Sequence, residues 1–116
     1  MRPRTAVLLE DIRDAAQFIL DETNDVTLED YEADRRLRRA VERSFEIMGE
    51  AMRRLQQADP PTAKQFPTAR IVVDFRNVLI HGYDIVENEI VWRTIQDSLP
   101  DLVRELERVL STVEVD

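Results

Sequence analysis

The chain is 116 residues long, a length that suits one hydrophobic core and hence a single domain over residues 1–116. Its 24 acidic residues outweigh 16 basic ones, and the net charge of -8 argues against a protein that coats nucleic acid by bulk electrostatics. A cysteine count of 0 excludes disulfides, thiolate nucleophiles and cysteine-based zinc or iron-sulfur sites, while 43% hydrophobic residues with only 2 glycines and 5 prolines favour helices on short connections.

From Thr5 to Glu22, the apolar residues Leu8, Ile12, Ala15, Ala16 and Ile19 recur at helical spacing, which predicts an amphipathic first helix. Asn24, Asp25 and Thr27 interrupt it, and Thr27 with Asp30 three places on forms a capping box for a short helix over Leu28 to Ala33. A long helix follows from Asp34 to about Gln57, its buried stripe formed by Leu37, Ala40, Val41, Ser44, Phe45, Met48, Ala51, Met52 and Leu55. Gly49 inside that helix costs about 1 kcal/mol of propensity relative to alanine, so its presence predicts close approach of a neighbouring helix.

Asp59, Pro60, Pro61 and Pro67 mark the longest loop. The next helix, from about Thr68 to His81, carries Ile71, Val72, Val73, Phe75, Val78, Leu79 and Ile80. It is apolar on more than one side, as befits a central helix or one in a subunit interface. Gly82 suits the left-handed position just past its end. A final helical region spans about Glu87 to Ser111, with Ile90, Val91, Ile95, Leu99, Leu102, Val103, Leu106, Val109 and Leu110 facing inward. Ser98 ahead of Pro100 and Asp101 predicts a break near Ser98. The expected fold is an all-α, antiparallel bundle of four to five helices. No stretch approaches the roughly 20 apolar residues that cross a bilayer, and Arg2, Arg4, Glu10 and Asp11 leave no signal-peptide core, so a cytoplasmic location is expected.

Arg35, Arg36, Arg38, Arg39, Arg43, Arg53 and Arg54 cluster on the long helix, against a single lysine, Lys64. They read either as a solvated face paired with Glu32, Asp34, Glu42, Glu46 and Glu50, or as a strip of guanidiniums that contacts RNA phosphates.

The chemistry concentrates in Arg76, Asn77, Val78, Leu79, Ile80, His81, Gly82 and Tyr83, which contain the only histidine. Histidine is the side chain that both takes and gives a proton near pH 7. Arg76 and His81 lie about 140° apart on an ideal helix, whereas Asn77 and His81 stack at i, i+4, so Asn77 is placed to orient the imidazole. Metal-free RNA cleavage needs a base for the 2′-hydroxyl, a cation for the phosphate and an acid for the 5′-oxygen. One histidine cannot readily be base and acid at once, but two copies across a two-fold axis can. The spacing alone equally describes a helix-terminal histidine that meets carbonyls and a tyrosine that packs. A bundle-type Glu-x-x-His metal site would need an acid where Val78 stands, and Gly49 and Gly82 belong to no nucleotide-cradling loop, so neither metal nor cofactor is expected.

The octapeptide resembles the RNxLxHxY form of the R-x4-6-H signature of HEPN domains, and specifically of HepT toxins paired with an MntA-type nucleotidyltransferase antitoxin. Residues 40–51 resemble that family's long-helix segment, and Val91-Trp92 through Leu99-Pro100-Asp101-Leu102 its C-terminal region. The resemblance implies an all-helical homodimer acting as a metal-independent endoribonuclease, the toxin of a type VII toxin-antitoxin pair. Carried onto matching positions, Arg76 stabilises the phosphate, His81 transfers protons and Asn77 supports the site, while Tyr83 falls on the tyrosine that the antitoxin modifies with AMP. Two other readings predict no ribonuclease activity: a non-catalytic accessory subunit that presents a substrate to a nucleotidyltransferase, and a purely structural dimerising bundle.

Overall fold

A computed structural model describes residues 2–80 and 87–114, which form helices and short connections without strands. Helix α1 (Pro3–Thr23) begins two residues earlier than the spacing suggests, because Pro3 occupies its first turn, where a missing N–H costs nothing. Asp25 turns the chain with a positive φ of 61°, a conformation that Asp tolerates better than most residues. The Thr27–Asp30 capping box then opens α2 (Leu28–Ala33), as its spacing predicts. The Asp34 carboxylate accepts from Leu37 N–H to start α3 (Arg35–Ala58).

The connection that follows α3 contains a helical turn that the proline pattern did not reveal, α4 (Pro60–Ala63). Asp59 caps it, and Pro60 and Pro61 fill positions where prolines are tolerated. Helix α5 (Ala69–Ile80) follows, and later α6 (Asn88–Arg93) and α7 (Leu99–Glu114). The break expected near Ser98 is absent. A π-helical stretch, Thr94–Ser98, joins α6 to α7, with Leu99 N–H bonded to Thr94 O. The wider turn carries the carbonyl of Gln96 away from the Pro100 ring, which a regular α-turn would drive into it.

The arrangement is the expected all-helical antiparallel bundle. Helix α1 runs against α3 head to tail: Arg2 Nη1 donates to Ala58 O at 3.2 Å and Thr5 Oγ1 to Asp59 Oδ2 at 2.9 Å. Helix α5 returns along α3, where Phe45 and Phe75 stack with ring centroids 4.8 Å apart. Leu9, Ile12, Ile19, Val41, Met48, Met52, Leu55, Leu102 and Leu106 fill the core. Helix α2 seals one end by burying Tyr31 against Trp92 of α6, 5.5 Å between centroids. Ile90, expected inside, is instead 52% exposed, because the buried stripe of α6 starts one residue later at Val91 and continues through Ile95 and Leu99.

Candidate active site

Helix α5 positions the described part of the octapeptide, and two features fix that helix against α3. The first is Gly49. A Cβ there would stand 2.2 Å from Arg76 Cβ, 2.8 Å from Arg76 Cγ and 3.0 Å from the carbonyl of Val72, so only glycine lets α5 descend this far. The close approach predicted from the glycine is thus real, and what approaches is the candidate catalytic arginine. The second is Glu105 of α7, buried to 7% exposure, whose carboxylate accepts from Thr68 N–H at 3.0 Å and Thr68 Oγ1 at 2.5 Å. Thr68 immediately precedes α5, so a carboxylate 37 residues away satisfies both donors of the residue that opens the helix and sits at its positive end.

Seated over Gly49, the Arg76 side chain is only 18% exposed, and its guanidinium is held from two sides. Arg76 Nη1 donates to Asn77 Oδ1 at 3.0 Å. Arg76 Nη2 lies 2.6 Å from Glu50 Oε2, a contact without hydrogen-bond alignment that acts as an ion pair. The other oxygen of Glu50 accepts from Arg54 Nε at 3.1 Å, and Arg53 Nη1 stands 3.9 Å from Oε2. Three guanidiniums therefore share one carboxylate, an anchored cationic cluster on an acidic molecule.

The cluster borders a cleft of about 250 Å³ between α1, α3 and α5, lined by Asp11, Arg43, Ile47, Glu50, Arg54, Arg76 and Ile80 among others. Arg43 is paired with Glu46 at 3.1 Å. Arg43, Arg53 and Arg54 therefore follow the paired-face reading, while Arg38 donates to the Glu32 carbonyl instead of a carboxylate. Of the four residues singled out in the sequence, the structure brings Arg76 and Asn77 together, while His81 and Tyr83 lie outside the described residues. Asn77, expected beneath the histidine, uses its carbonyl oxygen on Arg76. In the sequence Glu50 reads only as one of several counter-ions, because a residue next to Gly49 points about 100° away from it around the helix and nothing local marks it as a partner of Arg76. Glu105 was missed too, although a carboxylate among Leu102, Leu106 and Val109 on the inner stripe of α7 was its signal.

Chemically, a fixed guanidinium at the rim of a cleft is an oxyanion binder, and arginine is preferred for phosphate because its donors form a planar fork. Comparison with known proteins agrees in kind. The family model described as "Ribonuclease HepT-like" matches residues 9–109. A Methanocaldococcus jannaschii protein named "Putative RNase" is 31% identical over 91% of this chain and 87% of its own length. The "Probable ribonuclease HepT" of Thermococcus cleftensis is 31% identical over 87% of this chain and 91% of its own. A "Putative RNase" of Caldanaerobacter subterraneus subsp. tengcongensis is 32% identical over 88% and 90%. No solved structure matches the chain.

Proposed function

The chain belongs to the HepT-like ribonuclease family, and from that premise we propose that it is a metal-independent endoribonuclease, the toxin of a type VII toxin-antitoxin pair acting as a homodimer in the cytoplasm. The observation that carries the reading is Arg76, half-buried over Gly49 and held by Asn77 and Glu50 at the rim of a cleft. In the proposed reaction His81 of one protomer takes the proton of an RNA 2′-hydroxyl, and the 2′-oxygen attacks the adjacent phosphorus. The 5′-oxygen leaves with a proton from His81 of the partner subunit, giving a 2′,3′-cyclic phosphate and a free 5′-hydroxyl. Arg76 stabilises the charge that builds on the phosphoryl oxygens. Asn77 keeps the guanidinium in register.

Control would fall to Tyr83. Its hydroxyl attacks the α-phosphorus of ATP on an MntA-type nucleotidyltransferase antitoxin and pyrophosphate leaves. The adenylate, negatively charged and two residues from His81, would block RNA and repel its phosphates. The purified protein is expected to cleave RNA in EDTA, and Arg76→Ala or His81→Ala to abolish cleavage. Equal cleavage by the alanine variants would remove the assignment. Stable binding to the nucleotidyltransferase without any ribonuclease activity would favour the accessory-subunit reading. With partner and ATP, the protein should gain one or more AMP masses, a gain lost in Tyr83→Phe.

A further inference from the structure

An arginine that stabilises charge in a transition state is most effective when its orientation is set before the substrate arrives, since ordering a long side chain at each binding event costs conformational entropy. Glu50 sets it here. One carboxylate oxygen stands 2.6 Å from Arg76 Nη2 while the other is held by Arg54 Nε at 3.1 Å. Tethered in this way, the carboxylate meets Arg76 through one oxygen. Arg76 Nε, buried, has no hydrogen-bond partner among the described residues. A carboxylate free to turn would engage Nε and Nη2 together, as arginine-carboxylate pairs commonly do, and would compete with any other anion for the guanidinium. Arg53 and Arg54 also offset the charge of Glu50, so that Arg76 is oriented without being neutralised. A carboxylate beside a phosphate-binding arginine, otherwise a competitor for the phosphate, becomes its support.

We propose that Glu50, tethered by Arg54, is a positioning residue for Arg76, holding its guanidinium in one orientation at the rim of the cleft. The catalytic consequence rests on the ribonuclease reading above; the positional one does not. Two substitutions separate the roles. Glu50→Ala frees the guanidinium and is expected to lower kcat by about tenfold or more, because small misplacements of catalytic groups carry penalties of that order. KM should hold or fall, since a competing anion is gone. Arg54→Ala releases the carboxylate to chelate Arg76 and is expected to raise KM severalfold with a smaller change in kcat. Melting temperatures should move little, because partly exposed ion pairs contribute little stability.

A second readout needs no catalysis. The NMR order of the Arg76 Nε–H vector should be high in the parent and fall in Glu50→Ala. Unchanged order in Glu50→Ala overturns the proposal whether or not the protein cleaves RNA. So does a set of kinetic constants equal to the parent's in both variants while Arg76→Ala abolishes cleavage. Loss of activity that simply follows a lowered melting temperature also overturns it. If the parent cleaves no RNA yet Glu50→Ala releases Arg76, the ribonuclease reading fails and the positioning stands.

Discussion

Gly49 shows how much one hydrogen atom can decide. Gly49→Ala would gain about 1 kcal/mol of helix propensity. The new methyl, however, would lie 2.2 Å from Arg76 Cβ, an atom fixed to the backbone of α5 that cannot swing aside. Overpacking of this kind costs typically about 1–3 kcal/mol, so steric repulsion wins. The variant is expected to be less stable in urea titrations and to lose ribonuclease activity beyond that loss, because α5 must lift Arg76 from the cleft. Asp59 governs a different property. Its carboxylate accepts hydrogen bonds from Thr62 and Thr5, which hold its pKa below the usual carboxylate value. The depressed value means that its contribution is present above the unfolded pKa, about 3.9, and is lost as pH falls through the folded one. Glu42 has the opposite sign, since burial raises its pKa and its charged form is disfavoured on folding. Asp59→Asn should therefore flatten the acid side of the stability profile, whereas Glu42→Gln should remove a loss that sets in as pH rises above the unfolded glutamate value, about 4.3, and is complete once pH has passed the raised one. Thermal melts between pH 3 and 7 would read both, and parallel profiles for parent and variants would contradict them.

Helix α5 is 12 residues long, short enough that propensity alone would not hold it in water. Its start is secured from α7 by Glu105 and its middle by the fit over Gly49. Glu105→Ala leaves the Thr68 N–H and hydroxyl without their carboxylate, a loss of about 1–3 kcal/mol. Hydrogen exchange should show α5 opening more readily than α1 in that variant, and uniform protection across both helices would refute the anchoring role. The same element shows what a sequence pattern conceals. Its periodicity marked α5 as apolar on several sides, and the fold then divided those sides: Val72 and Phe75 go inward, while Ile71, Val78 and Ile80 remain 46–49% exposed. The α6–α7 junction has the same lesson in reverse. Ser98 and Pro100 spelled a helix start, yet the π-helical turn absorbs the proline and one helical run persists.

Across the whole molecule, the exposed apolar residues Ile47 and Ile80 line the cleft beside Arg76. That placement suits the homodimer proposed above, in which a second copy covers the apolar rim while leaving the arginines to RNA. Ile47→Asp combined with Ile80→Asp is expected to yield a folded monomer by sedimentation and to abolish RNA cleavage. A monomeric parent, or an active monomeric variant, would exclude a composite site. Among the described residues no helix is long and apolar enough to cross a membrane.

By itself the sequence determined the long helices, since their 3.6-residue periodicity and capping residues are local properties: the Thr27–Asp30 box, the stripe of α3 and the place of Arg76 and Asn77 were all legible, whereas α4 and the continuous α6–α7 run were not. It also marked Gly49 as a point of close approach. Only the tertiary structure decided what approaches it, and which carboxylates support the site, because Glu50–Arg76 and Glu105–Thr68 join residues 26 and 37 positions apart. The inward place of Glu105 is written in its stripe, but the identity of either partner leaves no periodic trace along the chain. Their geometry exists only once α5 lies on α3 and α7 closes over the start of α5.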